Sequence, residues 1–262
     1  MVGFGTCDPV IPIPGGELTI NPTDGTPAKL LDAKGKKLYQ SIVGSLLYAA
    51  CMTRMDITHA TAKLAQFSSA PAEHHLVAAK GVLRYLSGTR NLGLVFRRSS
   101  RKINLDPTVY PDASWISEVD SGRSHSGVIT LLNGNPVHWW SKKQSMVALS
   151  STEAEYIAMG EAAKDAVWLR EWLNAVLGLK IPIRVLCDNR AALLIAANDT
   201  DTARTRHYSV RHHFVRELIK SHQLKLEWIS TDEQAADLLT KQLSVEKLRK
   251  WRNKFLIEVQ RD

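Results

Sequence analysis

Residues 108–115 read Thr108-Val109-Tyr110-Pro111-Asp112-Ala113-Ser114-Trp115, a run of β-branched and aromatic residues with an acid near its middle. This composition predicts a strand. A carboxylate inside an apolar strand is unfavourable unless a cation or several donors compensate it, and Asp112 has no obvious cationic partner nearby in the sequence. Two more strands follow at 125–132 and 136–141, with Asn133-Gly134-Asn135 supplying a hairpin turn between them. A long helix then spans Thr152 to Leu177. Its apolar positions Met159, Ala162, Ala166, Leu169, Leu173 and Val176 recur at steps of three and four and form one buried stripe.

Working outward, Ile183 to Cys187 fits a buried strand, and Ala191–Ala197 and Ser209–Ser221 read as helices. Leu224–Ile229 is a further strand, and a final helix begins near Glu233. The order βββ-α-β-α-α-β-α implies an α/β (α+β) mixed sheet flanked by helices. Upstream, residues 1–38 carry five of the ten prolines and read as an extended Pro/Gly-rich connector. Helical patterns occupy Tyr39–Met52, Asp56–Phe67 and Ala72–Leu86, and Leu92–Phe96 reads as a short strand. A hinge at Ser99-Ser100-Arg101-Lys102 places a boundary near residue 103, giving expected segments 1–38, 39–102 and 103–262. No internal repeat is visible.

With 44% hydrophobic and 23% charged residues, the 262-residue chain has the composition of a globular protein. The longest apolar run, Ile42–Met52, is too short to cross a bilayer, and Met1–Thr6 has no signal-peptide pattern. No membrane partner is expected. Three widely spaced cysteines (Cys7, Cys51, Cys187) argue against a disulfide framework or a zinc site and fit an intracellular compartment. The net charge of +8 is concentrated: seven basic residues and no acid lie between Lys80 and Lys102, and six more lie between Thr200 and Lys225. Such segments suit a polyanionic partner, nucleic acid being the commonest, or else are solvated helix faces.

Four carboxylates stand out: Asp112 within the first strand, Glu153 opening the long helix, Asp188 closing the fourth strand and Asp237 in the first turn of the last helix. Oxygen ligands of this kind select Mg²⁺, with Mn²⁺ as a substitute. Two such ions roughly 3.5–4 Å apart activate a water and stabilise the leaving oxygen in phosphodiester hydrolysis. Each acid also has a structural reading. Glu153 has the spacing to complete a capping box with Ser150, Asp188 to cap the following helix, and Asp237 to complement a helix N-terminus.

Tyr110–Trp115, Trp140-Ser141-Lys142-Lys143-Gln144, Leu149–Tyr156, Cys187-Asp188-Asn189, Arg211–Glu217 and Ala236–Lys241 occur in that order. Together they resemble the ribonuclease H domain of Ty1/copia-type LTR-retrotransposon polyproteins. Tyr39–Tyr48 and Ala78–Leu86 resemble the connection that follows the reverse-transcriptase palm. The resemblance implies an RNase H-like fold with a five-stranded mixed sheet, preceded by a helical connection. It implies catalytic and metal-ligating Asp112, Glu153, Asp188 and Asp237, two Mg²⁺ ions, and cleavage of the RNA strand of RNA–DNA hybrids. It also implies palm and fingers from the same or a related polyprotein as partners, and a setting in cytoplasmic virus-like particles or the nucleus. No Tyr-X-Asp-Asp motif occurs, so DNA synthesis by this chain alone is not expected. Many cellular ribonucleases H carry a histidine before the last acid; here the loop is Ser230-Thr231-Asp232-Glu233-Gln234.

Candidate hybrid contacts are Arg204, Arg206, His207, Arg211, His212 and Arg216 on the basic segment, Lys142, Lys143 and Gln144 at the strand-to-helix turn, and Asn189 beside the third acid. Trp139, Trp140, Trp168 and Trp172 are expected in the core, as is Cys187, a small buried thiol and not a nucleophile.

Overall fold

The computed structural model describes residues 11–12, 18–22, 26–98, 105–198 and 209–259. These fall into two compact units.

The first unit takes in the chain to Val95, residues Val119–Ser121 and the segment from Gln242. Its helices are α1 (Ala33–Met52), α2 (Thr58–Ala65) and α3 (Glu73–Gly88), followed by β1 (Leu92–Leu94). Asp32 caps α1 by accepting from the Gly35 N–H. Tyr39, Val43, Leu46 and Ala50 recur at helical spacing on α1 and are buried. Buried Asp56 is compensated by a two-pronged Arg54 contact at 2.9 and 2.8 Å and by the Tyr85 hydroxyl at 2.7 Å.

The second unit runs from Phe96 to Lys241, apart from the Val119–Ser121 turn. It comprises β2 (Pro107–Glu118), β3 (Arg123–Leu132), β4 (Asn135–Lys143), α4 (Ser151–Leu177), β5 (Ile183–Cys187), α5 (Arg190–Ala197), α6 (Ser209–Lys220), β6 (Leu224–Trp228) and α7 (Asp237–Thr240). Its five strands lie in the order β4-β3-β2-β5-β6. The β2–β3 and β3–β4 pairs are antiparallel, whereas β5 joins both β2 and β6 in parallel. This mixed sheet is the RNase H-like fold. Asn133 and Gly134, both at positive φ, make the β3–β4 turn.

α4 packs on the sheet through Met159, Ala162, Ala166, Leu169 and Leu173, all buried. The alanines let helix and sheet backbones approach closely. Val176 leaves the stripe and is 58% exposed. Trp168 and Trp172, expected in the core, are instead 52% and 44% exposed, because they lie on the flank of α4 away from the sheet. Trp139 and Cys187 are buried, and half-buried Trp140 donates its indole N–H to Asp165 at 2.8 Å.

The expected final helix is broken. A short turn at Thr231–Glu233 precedes α7, Lys241 is extended, and a separate helix α8 (Val245–Phe255) starts at its Ser244 cap. α8 and the following β7 (Leu256–Glu258) belong to the first unit, where β7 pairs antiparallel with β1. The division therefore differs from the expected 39–102 and 103–262 segments, because the chain's last elements return to complete a pairing made with residues 92–94. No described helix is long and apolar enough to cross a membrane.

Candidate metal centre

β2 and β5 are parallel neighbours, so Asp112 on β2 and Asp188 just past β5 come to the same edge of the sheet. α4 and α7 bring one acid each to that edge.

The glutamate that α4 supplies is Glu155. It lies on the buried stripe, four residues before Met159, so the helix turns it onto the sheet. One ligand atom each from Glu155, Cys187 and Asp188 lie within 4.8 Å of one another. Glu153 is two residues away, roughly 200° around the helix axis. Its carboxylate accepts from the Leu149 N–H at 2.8 Å, and its own N–H donates to the Ser150 hydroxyl at 3.1 Å. The expectation that Glu153 joins the acids is corrected: the capping alternative is what the fold builds, and helical phase is the reason.

Asp112 is 2% exposed and Asp237 1%. Burial pushes Asp112 up to about 7, and the charges of Asp237 and Asp188 add to the rise, while nearby Lys241 and a hydrogen bond donated by the Thr240 hydroxyl oppose it. Glu155 is raised well above the ordinary carboxylate range, first by burial and then by Asp112 and Asp188. Its Oε2 is buried with no hydrogen-bond partner among the described residues. Burial also pushes the Cys187 thiol upward, with Glu155, Asp188 and Asp112 contributing, so Cys187 stays a neutral thiol. Burial opposes the charge on Lys241, but Asp112, Asp237 and Asp188 outweigh it and keep the ammonium protonated. That ammonium is 2.5 Å from Asp237.

With Asp112 and Glu155 raised by burial and by the charges around them, and with one carboxylate oxygen orphaned, the cluster is a donor set short of positive charge. Its oxygens suit a hard divalent ion such as Mg²⁺, and the protonated thiol does not suit a soft one. Lys241 supplies a single charge at one side of the cluster; its side chain is 41% exposed and so has room to swing outward.

Beside the acids, an open cleft of about 460 Å³ is lined by Glu155, Asp188, Asn189, Arg190, Trp228 and Thr231. The Arg190 guanidinium lies 4.2 Å from the centre of the Trp228 ring. The Asn189 side-chain oxygen accepts from the Ala192 N–H and caps α5, which leaves its amide group available to the cleft.

The other sequence-derived contacts divide sharply. Lys142 is exposed, its ammonium 4.9 Å from the centre of the Trp140 ring, and Lys143 is half-buried. Gln144 is 5% exposed and donates to the Ser126 hydroxyl and the Ala154 carbonyl, so it ties β3 to α4 and is not a surface contact. Arg216, at 7% exposed, likewise points inward from α6. Arg204, Arg206 and His207 lie outside the described residues, as do the side chains of Arg211 and His212. Glu155, Thr240, Lys241, Arg190 and Trp228 were not singled out by sequence reasoning. For Glu155 the signal was present, since positions 155, 159, 162 and 166 continue one helical stripe.

No family model matches the chain. It is 41% identical over 206 residues to the retrovirus-related Pol polyprotein from transposon TNT 1-94 of Nicotiana tabacum, covering 78% of this chain and 15% of that protein. It is 39% identical over 208 residues to the Pol polyprotein from transposon RE1 of Arabidopsis thaliana, covering 79% and 14%. Over 131 residues it is 47% identical to secreted RxLR effector protein 161 of Plasmopara viticola, covering 50% of this chain and 90% of that one. Among solved structures, it resembles the foamy viral protease-reverse transcriptase in complex with RNA/DNA hybrid. That likeness has a TM-score of 0.50 at 15% identity, over 77% of this chain and 27% of that one. The chain thus spans about one seventh of the length of the two Pol polyproteins.

Proposed function

We propose, for a chain that belongs to the Pol polyproteins of copia-type LTR retrotransposons, that its second unit is an RNase H-type endonuclease cutting the RNA strand of RNA–DNA hybrids. The observation that carries this reading is the convergence of Asp112, Glu155 and Asp188 at one sheet edge beside an open cleft, with Asp237 brought to Asp112 by α7.

In this proposal Asp112, Glu155, Asp188 and Asp237 hold two Mg²⁺ ions, and Glu153 supports the helix start. Bound Mg²⁺ would supply Lewis acidity to the scissile phosphate and lower the pKa of the attacking water. The chain's own residues do the remaining work. Asp112 is held ready by the Thr240 hydroxyl, Glu155 keeps one oxygen uncommitted, and Lys241 sets a positive charge beside Asp237 and Asp112. Asn189 and Arg190 line the cleft where the RNA strand would lie, and exposed Lys142 extends the contact to phosphates. The palm and fingers of the same or a related polyprotein would act as partners.

The test is incubation of the purified chain with end-labelled RNA–DNA hybrid and Mg²⁺ or Mn²⁺, beside Asp112→Asn and Glu155→Gln. Metal-dependent cleavage lost in both variants supports the proposal. Metal-dependent binding without cleavage in the unmodified chain would leave a nucleic-acid-binding module, and retained cleavage by Asp112→Asn would refute the site.

A further inference from the structure

Asp112 on β2, Gly127 on β3 and Ser141 on β4 are paired in register and form one row across the sheet. α7 is fastened along that row. The Thr240 hydroxyl donates to Asp112, Leu239 packs so close to Gly127 that a Cβ there would sit 2.6 Å from the leucine Cβ, and the Ser141 hydroxyl donates to the Leu239 carbonyl at 2.6 Å. Two residues further along, the next row on the same face holds Ser114, His125 and Lys143. His125 is completely buried, with Nδ1 2.9 Å from Glu118 and Nε2 2.6 Å from the Ser141 hydroxyl.

Glu118, His125 and Ser141 thus have the contacts of a nucleophilic triad. A triad serine, however, gives its proton to histidine, and here the hydroxyl faces a carbonyl. A hydroxyl carries one proton, and the Leu239 carbonyl can only accept. The Ser141 proton therefore goes to Leu239, and the hydroxyl accepts from His125 Nε2–H. The Nδ1–Glu118 contact needs a proton as well. A neutral imidazole has one N–H and cannot donate to both the Ser141 hydroxyl and an ionised Glu118.

We propose that His125 is a positioning residue, an imidazolium held by the Glu118 carboxylate. Through Ser141 it fastens the Leu239 carbonyl and so fixes α7, with Asp237, Thr240 and Lys241, against Asp112. The imidazolium and carboxylate carry no net charge as a pair, and the hydrogen bonds at both ring nitrogens offset the cost of burying them. Lys143, the neighbour on the same row, opposes a second cation, and Glu118 offsets it; Arg123 is the residue in register with Glu118. This inference rests on reading the acids as a metal site.

The test uses the full chain near pH 7 and isotope-labelled histidine. Nitrogen NMR reads each ring nitrogen, and His125→Gln identifies the His125 signals. Two protonated nitrogens are expected; one protonated and one bare nitrogen overturns the proposal. Mn²⁺ titration followed by paramagnetic broadening then compares the unmodified chain with Ser141→Ala and Ser141→Thr. Ser141→Ala is expected to weaken Mn²⁺ binding by roughly 10-fold, the low end of outer-shell effects, with hybrid KM unchanged and affinity restored by Ser141→Thr. Unchanged Mn²⁺ affinity in Ser141→Ala overturns it. Absent cleavage alongside these expected results would sink the nuclease reading alone, whereas intact cleavage with a single protonated nitrogen sinks only the His125 role.

Discussion

Replacing Asp112 by Asn removes the charge at the most crowded point of the cluster and keeps the side-chain shape, including an oxygen for the Thr240 hydroxyl. The folded-state value of Asp112 is raised from 3.8 to about 7, burial being the main cause. Without metal, the folded chain therefore keeps a proton that the unfolded chain has already released. Stability from this group is complete below about pH 4 and is lost as pH rises to about 7. A rise of roughly three units at 1.36 kcal/mol each amounts to a loss on the order of 4 kcal/mol. The Asn variant does not titrate. In chelator it should match the unmodified chain near pH 4, gain on it by about 1.4 kcal/mol per pH unit, and level off above pH 7. Glu155 titrates with Asp112, and because Asp112's charge contributes to its rise, the variant also relieves Glu155. Urea denaturation at several pH values between about 4 and 8 reads the gap directly. A gap that stays constant with pH, or a variant less stable at alkaline pH, would refute the reasoning. Saturating Mg²⁺ should erase most of the unmodified chain's loss, since a bound cation favours the ionised acids.

Glu155→Gln and Glu153→Gln should separate chemistry from folding. The first is expected to lower single-turnover hybrid cleavage at least 100-fold, and the second to cost about 1 kcal/mol of stability while cleavage persists; equal losses of cleavage would contradict the helical-phase argument. Gly127→Ala places a methyl group against Leu239 and should destabilise the chain by about 1–3 kcal/mol, read as a lowered urea midpoint. Lys241→Gln removes the cation beside Asp237, so the metal-free chain should melt earlier at pH 8 and gain more from added Mg²⁺ than the unmodified chain does, as measured by calorimetry. Lys142→Ala should reduce the dependence of log hybrid affinity on log salt by about one unit of slope, consistent with one lost phosphate contact.

The sequence by itself determined the order of strands and helices, because hydrophobic period and turn residues are local properties. The Asn133-Gly134 hairpin, the apolar strand Ile183–Cys187 and most of the α4 stripe follow from such signals. The sequence also drew attention to Asp112, since a mid-strand acid demands a partner wherever the strand is placed. Which partners it has is a property of the fold. Glu153 and Glu155 are both acids in the first turns of one helix, and only the helix's contact with the sheet shows that one faces the cluster while the other closes the helix end. Arg216 and Gln144 look like surface contacts until packing encloses them, and Trp168 and Trp172 look like core until α4 turns them away. Lys241 and Ser141 acquire their meaning from α7 lying along the Asp112 row. Electrostatic coupling and side-chain direction depend on distances through space, and chain order does not encode those until the sheet has closed.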